Sequence, residues 1–224
     1  MTDFGEPIRP DPQLGASDIR RLFDLLSSHL HAAGSTGHRL MIAGGAALAL
    51  MWEDRITHDI DVLEHRFRAP PSEADSERRT TAVDFISMQV PAELAHAARL
   101  VANSEGLPRN WLNGAAAIFT PACELDPQVL HQTEDLTVAA PSPTVLLAMK
   151  LYAARDWDLQ DAVRLARDTH ITDLDQMLAL VVDAYGAAAA TAEIDHFAQR
   201  ALSLTREGHN RRRQPPDRGL SAGR

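Results

Sequence analysis

The chain has a single cysteine, few aromatic residues and no long apolar run. With only Cys123 among 224 residues, it cannot build an internal disulfide. Aromatic residues make up 5% of the composition, so aliphatic side chains and alanine must fill the core, which favours helices. No apolar run reaches the roughly 18 residues that a membrane-spanning helix needs. The polar start MTDFGEPIRPDPQLG is unlike a signal peptide. These absences predict a cytoplasmic protein without a membrane partner.

Positive charge is also scarce. The formal net charge of −9 argues against a protein that coats nucleic acid without specificity. The last residues, GHNRRRQPPDRGLSAGR, are an exception, because they carry five arginines against one aspartate. We therefore predict a basic, disordered tail over residues 207–224, which either keeps the chain soluble or contacts RNA or another polyanion.

The remaining pattern predicts an α+β protein, with a small mixed sheet and flanking helices up to residue 140 and a helical part over 141–206. Residues 1–16 are expected to form a flexible leader. Apolar runs predict strands in HRLMIA (38–43), ITHDIDVLEH (56–65), TAVDFISMQV (81–90) and a hairpin in QVLHQTEDLTVAA (128–140). Helical periodicity begins at Ser17, returns in GAALALMW and in PAELAHAARLVANSEG, and dominates after residue 141. The expected helix caps are Ser17, Ser142, Asp158, Thr172 and Thr191.

Two aspartates interrupt the second strand. Side chains alternate between the faces of a strand, so Asp59 and Asp61 share one face, about 7 Å apart, while Ile60 and Val62 face the core. Paired carboxylates repel each other, and a divalent cation between them removes that repulsion. Mg²⁺ takes one or two carboxylates together with substrate phosphates. The pattern therefore indicates a metal site, although a solvated strand face has the same spacing.

Two glycines stand where the first strand ends and a helix begins. Without side chains, Gly44 and Gly45 allow a phosphate to approach the backbone N–H groups at the helix start. Taken alone, the two adjacent glycines are explained more simply by a tight turn. An anion site followed by a cation site is what a metal–triphosphate requires.

The whole stretch GGAALALMWEDRITHDIDV resembles the opening motif of the nucleotidyltransferase superfamily with the DNA polymerase β-like fold. It is most similar to the AbiEii-like branch, which contains toxins of type IV toxin–antitoxin and abortive-infection systems. The resemblance implies that Gly44 and Gly45 bind the triphosphate of an NTP and that Asp59 and Asp61 bind Mg²⁺ or Mn²⁺.

Arg55 and Thr57 match the same motif. The resemblance places both in the nucleotide-binding segment, where Arg55 either orients the loop or reaches a phosphate. A surface ion pair is the structural alternative for Arg55. In LPRNWLNGAAAIFTP, Trp111 either stacks on a base or packs in the core, and we favour packing.

Lys150 interrupts the apolar run VLLAMKLYAA. It either extends its amine to solvent or faces an anion, and the resemblance implies that it binds a nucleotide phosphate. The family motif continues to Asp161, with Arg155 and Asp158 between, but Trp157 stands where the family usually has arginine. On one continuous helix Lys150 and Asp161 would lie about 16 Å apart, so they meet only if the helix breaks near residues 156–157. Both aspartates also fit a capping box.

A third carboxylate usually serves as the base in this superfamily. The candidates are Asp84, Glu134 and Asp135, and a two-carboxylate enzyme or an inactive nucleotide-binding relative stays open. The resemblance implies transfer of a nucleoside monophosphate from an NTP to a tRNA 3′ end or a protein hydroxyl, by a toxin that has a cognate antitoxin. The alternative is a small-molecule, antibiotic-modifying nucleotidyltransferase, which the acidic composition suits.

Overall fold

The computed structural model describes residues 12–67, 78–80 and 92–213, with side chains over 12–64 and 92–206. The chain divides into two compact units, and the division falls at Ser142. Residues 121–124 belong to the second unit although they lie within the first unit's stretch of sequence. The predicted strand TAVDFISMQV, with Asp84, and the predicted leader and tail lie mostly outside the described residues.

The first unit is a mixed sheet with flanking helices, which confirms the α+β class. Its strand order is β3-β2-β1-β6-β5, and β4 pairs with β2 beside this row. The pairs β1–β6 and β2–β4 are parallel, and the other pairs are antiparallel. The strands are β1 (His38–Ala43), β2 (Ile60–Phe67), β3 (Arg78–Thr80), β4 (Leu112–Asn113), β5 (Gln128–Gln132) and β6 (Leu136–Ala140).

The described helices of this unit are α1 (Ala16–Ala32), α2 (Gly44–Trp52) and α3 (Ala92–Glu105). Helix α1 buries an apolar stripe at helical spacing that includes Ile19, Phe23 and Leu26. It begins one residue before the predicted cap, because Gly15 takes the N-cap position and its N–H donates to the Asp18 carboxylate at 3.0 Å. The helices predicted in GAALALMW and after Pro91 are confirmed.

The second unit is helical, as predicted. Its helices are α4 (Pro143–Ala153), α5 (Leu159–Asp168), α6 (Leu174–Tyr185) and α7 (Ala192–Arg213). Helix α6 is capped by Asp173, whose carboxylate accepts from the Gln176 N–H at 2.8 Å, so the predicted cap Thr172 is wrong by one residue. Within the described residues, no helix is both long enough and apolar enough to cross a membrane.

A buried histidine stands at the start of β1. His38 is 1% exposed, and its Nε2 lies 2.8 Å from the Ser35 hydroxyl. Burial lowers its pKa from 6.5 to about 4, against the opposing influence of the Glu93 and Asp135 carboxylates. The folded protein therefore keeps His38 neutral at pH values where the unfolded chain protonates it.

We expect this histidine to destabilise the protein in acid. Between about pH 6.5 and about pH 4 the unfolded state binds one more proton at His38, so lowering the pH through this window costs up to about 3 kcal/mol of unfolding free energy. Urea unfolding across the window measures this loss. The variant His38→Gln keeps a polar partner for Ser35 and should show a smaller loss than the wild type. Equal pH dependence of the two proteins would contradict the expectation.

Candidate functional site

Asp61 lies against the start of helix α2. It pairs with Ala43, the last residue of β1, and the next residue in the chain is Gly44. Gly44 has a φ of +63°, in the left-handed region that favours glycine. A Cβ atom placed on Gly44 would lie 2.9 Å from Asp61 Oδ2. A carboxylate oxygen thus occupies the space that the missing side chain leaves open.

Gly45 makes a second close approach, to the segment before β2. A Cβ on Gly45 would lie 2.8 Å from the Thr57 Cβ, so any larger residue would push Thr57 away. The Thr57 hydroxyl donates to the Asp59 carbonyl at 3.2 Å, and the Thr57 backbone bridges to Leu14. Thr57 is 6% exposed. The two motif residues Gly45 and Thr57 therefore fix the backbone that carries Asp59.

Asp59 stands just outside the strand. The structure begins β2 at Ile60, four residues later than predicted, because residues around Thr57 pair with Leu14 instead of with β1. Asn113 Nδ2 donates to Asp59 Oδ2 at 3.1 Å, and Asn113 Oδ1 accepts from the Ala115 N–H at 2.8 Å. Asn113 therefore orients the Asp59 carboxylate.

Sequence reasoning did not assign Asn113 to the site. A single asparagine in an irregular segment has no motif, and only the parallel pairing of β4 with β2 brings it to Asp59. The neighbouring Trp111 is 1% exposed and its indole N–H donates to the Ala98 carbonyl at 3.0 Å. The packing role predicted for Trp111 is confirmed.

A β-bulge brings a further acidic residue to the face of Asp61. The register shifts between the pairs Ile42–Val62 and Met41–Glu64, so Leu63 is the additional residue of β2. Val62 and Leu63 are both fully buried. Strict alternation would have put Glu64 on the opposite face, but the bulge turns it to the side of Asp61. Glu64 is 6% exposed, and nothing in the sequence pattern predicted the bulge.

Arg55 lies in the loop between α2 and β2. Its guanidinium Nη1 donates to the carbonyl of Ile56. This contact fits the loop-orienting role predicted for Arg55, and a reach toward a phosphate stays a prediction.

Two of the predicted third carboxylates lie at the other end of the sheet. Glu134 and Asp135 are in the turn between β5 and β6, and the Asp135 carbonyl accepts from the backbone N–H of His38 at the start of β1. Asp61 lies beside Ala43 at the end of β1. Five steps of about 3.3 Å separate these ends, or about 17 Å. The expectation that Glu134 or Asp135 completes the site is therefore wrong, and the candidate Asp84 falls outside the described residues.

The donor set suits a cation that takes few protein ligands. In the part of the chain that the structure describes, no group of three or more histidine, cysteine, aspartate or glutamate side chains could hold a metal ion. Mg²⁺ differs from structural metals in this respect, since one or two carboxylates and the phosphates of a substrate complete its shell. Asp59 and Asp61 fit that requirement, and the glycine at position 44 lets the Asp61 carboxylate lie against the start of α2.

Comparison with known protein families, with curated proteins and with solved structures gives no match to this chain. The chemistry of the corner formed by Gly44, Gly45, Asp59, Asp61 and Asn113 has to be argued from its own geometry and from the motif in the sequence. Carboxylates beside the first N–H groups of a helix offer a cation site next to an anion site.

Lys150 belongs to the second unit and lies between two buried aspartates. Its Nζ donates to Asp158 Oδ1 and, at 3.1 Å, to Asp161 Oδ2. The side chains of Lys150, Asp158 and Asp161 are 11%, 8% and 6% exposed. The helix breaks after Ala153, and a 3₁₀ turn over Asp156–Asp158 lets α5 fold back. The sequence analysis predicted that Lys150 and Asp161 could meet only if the helix breaks between them, and the structure has such a break.

The contacts of Asp158 differ from the capping prediction. Asp158 is the N-cap residue of α5, but its side chain makes no capping hydrogen bond to that helix and binds Lys150 instead. Arg155, just before the 3₁₀ turn, places its guanidinium carbon 5.8 Å from the centre of the Trp157 ring. The role of Lys150 as a phosphate ligand stays a prediction, as do the roles of Arg155, Asp158 and Asp161.

The contact of Gly44 with Asp61 can be tested by adding one methyl group. Gly44→Ala should lose about 1 kcal/mol of unfolding free energy from its left-handed backbone and should also displace the Asp61 carboxylate, so binding of Mg·NTP should fall. Gly34→Ala is the matched control, because Gly34 has a φ of +66° and nothing within 4 Å of the added carbon. Calorimetric titration and thermal unfolding of both variants separate the two effects. Wild-type NTP affinity in Gly44→Ala would contradict the assignment.

Proposed function

We propose that this protein is a Mg²⁺-dependent nucleotidyltransferase that moves a nucleoside monophosphate from an NTP to an acceptor hydroxyl. The observation that supports it most is the contact between Gly44 and Asp61, which places a carboxylate at the start of a helix. The resemblance of the same residues to the AbiEii-like motif supports it independently of the geometry.

Asp59 and Asp61 would hold Mg²⁺ or Mn²⁺. The ion would neutralise charge on the phosphates of the NTP when bound. The role of the protein is to hold these carboxylates in place, and two contacts position Asp59. Asn113 donates to Asp59 Oδ2, and Thr57 holds the backbone of the same residue.

The start of α2 would bind the β- and γ-phosphates. The first N–H groups of a helix have no partner within the helix, and the N-cap Ala43 has no side chain that could cap them. The Asp61 carboxylate lies at Gly44 and the Thr57 side chain at Gly45, so the phosphates would reach these N–H groups beside the two side chains. The helix dipole adds a partial positive charge at the same point.

The acceptor would be a tRNA 3′ end or a protein hydroxyl, and the biological role that of a toxin with a cognate antitoxin. These assignments rest on the resemblance. In the reaction, the acceptor oxygen attacks the α-phosphorus and its hydroxyl proton passes to solvent. The bond from that phosphorus to the bridging oxygen breaks, and pyrophosphate leaves with the electron pair.

Incubation of the full chain with each NTP, labelled on the α-phosphate, tests the proposal. Total RNA and total protein are supplied as acceptors, with Mg²⁺ or with a chelator. We expect one NTP to label one acceptor class in a Mg²⁺-dependent way. If a folded protein moves no label but binds Mg·NTP tightly in a calorimeter, the enzyme proposal fails and a nucleotide-binding protein remains.

A small-molecule nucleotidyltransferase is the second candidate. It is favoured by the carboxylates of Asp59 and Asp61 and by the net charge of −9, since a cationic substrate would be attracted to both. Label found on an added cationic antibiotic, and on neither RNA nor protein, would select this candidate.

A further inference from the structure

A groove runs along helix α7 in the second unit, away from the buried face of that helix. It has a volume of about 470 Å³, within the range of ligand sites. Leu159 of α5 forms one side. The α7 residues that line it recur at helical spacing and are His196, Gln199, Arg200, Ser203 and Leu204.

An exposed tryptophan lies beside the groove. Trp157 is 74% exposed, an unusual state for so large an apolar side chain. It follows Asp156, which binds Arg200 of the groove, and is two residues before Leu159. The Arg155 guanidinium lies over the same ring. A flat aromatic surface and two guanidinium groups therefore stand at one end of the groove.

Arg200 can exchange its present partner. It donates to Asp156 Oδ1 at 2.7 Å, but both side chains are open to water, at 42% and 80% exposure. A pair of this kind contributes little to stability, so a phosphate oxygen can replace the Asp156 carboxylate. Gln199, Ser203 and His196 supply further hydrogen-bonding groups on the same stripe.

We propose that this groove binds a single-stranded RNA segment, with one base stacked on Trp157 and a phosphate on Arg200. Exposed aromatic rings beside cationic side chains are the usual means of binding unpaired bases. The sequence that follows the groove residues is basic, since it contains Arg211, Arg212 and Arg213. The proposal rests on the proposed function only in choosing RNA, as the acceptor class, over other polyanions.

The test is fluorescence anisotropy of a labelled oligouridylate with the full chain, without Mg²⁺ or NTP. We expect Trp157→Ala to weaken binding by about tenfold, the loss typical of one stacked base. Ile118→Ala is the matched control, since Ile118 is 65% exposed in the other unit. Trp157→Phe should keep most of the affinity and lose the quenching of tryptophan emission that the wild type shows on binding.

Salt dependence tests the phosphate contact. Arg200→Gln should reduce the slope of log affinity against log salt by about 0.7. Arg20→Gln, which breaks a similarly exposed ion pair with Glu53 in the other unit, should leave the slope unchanged. The proposal is overturned if the wild type does not bind the oligomer at low salt, or if Trp157→Ala binds it as well as Ile118→Ala does. It is also overturned if a protein acceptor displaces the labelled oligomer and unlabelled RNA does not. Because these assays contain no NTP, they can fail while labelled transfer succeeds, or succeed while it fails.

Discussion

Replacement of Asp59 or Asp61 by asparagine is expected to reduce nucleotidyl transfer by about three orders of magnitude. Each change removes one negative charge from a pair that would hold the cation, and charge stabilisation of this kind is worth several kcal/mol. The size and shape of the side chain stay the same, and the asparagine oxygen at position 59 can still accept from Asn113, so the fold should persist. Single-turnover transfer of labelled nucleotide at saturating NTP measures the effect, and Mg²⁺ titration should show weakened metal dependence.

Glu134→Gln is the matched control for this experiment. Glu134 is exposed in the turn at the opposite end of the sheet, so the same loss of charge should leave transfer near the wild-type rate. Circular dichroism and thermal unfolding confirm that all three variants are folded. Near wild-type transfer by either aspartate variant would remove the metal assignment, and loss in Glu134→Gln would show that overall charge, not the site, controls the rate.

Lys150→Met is expected to lower the free energy of unfolding by about 3–5 kcal/mol. The change keeps the length of the side chain but leaves the Asp158 and Asp161 carboxylates buried, 8% and 6% exposed, without their cation. Breaking a buried ion pair by removing one partner has this magnitude. Urea unfolding of the variant and the wild type gives the difference.

Two further variants identify the cause of the loss. Arg200→Gln removes an exposed cation from Asp156 and should lose less than about 1 kcal/mol. The triple variant Lys150→Met, Asp158→Asn, Asp161→Asn leaves no buried charge and should recover most of the stability. A small loss in Lys150→Met would mean that the cluster is solvated. If the stable triple variant also binds Mg·NTP weakly, the predicted phosphate role of Lys150 gains support.

The sequence predicted the fold best where a residue pattern is compatible with only one local structure. The run His38–Ala43 has apolar residues and ends in two glycines, and it is β1 followed by α2, as predicted. The glycine pair was predicted to permit a close approach. The approach is real in the structure, but the atoms that come close are those of Asp61 and Thr57.

Other features depended on contacts between distant segments. Alternation predicted that β2 starts at residue 56, but pairing with Leu14 takes Thr57 out of the strand. The bulge at Leu63 also shifts the register of β2 against β1, which alternation alone does not predict. Neither result follows from local propensity, because each depends on which partner strand lies alongside.

The sequence by itself determined the α+β class, most of the elements and the order of the two units, since periodicity and turn residues act over short distances. Only the tertiary structure decided which polar groups meet. It brought Asn113 to Asp59 across 54 residues, joined Lys150 to Asp158 and Asp161 through a helix break, and moved Glu134 and Asp135 away from the site. The physical reason is that sheet register and chain reversal are set by the packing of the whole unit.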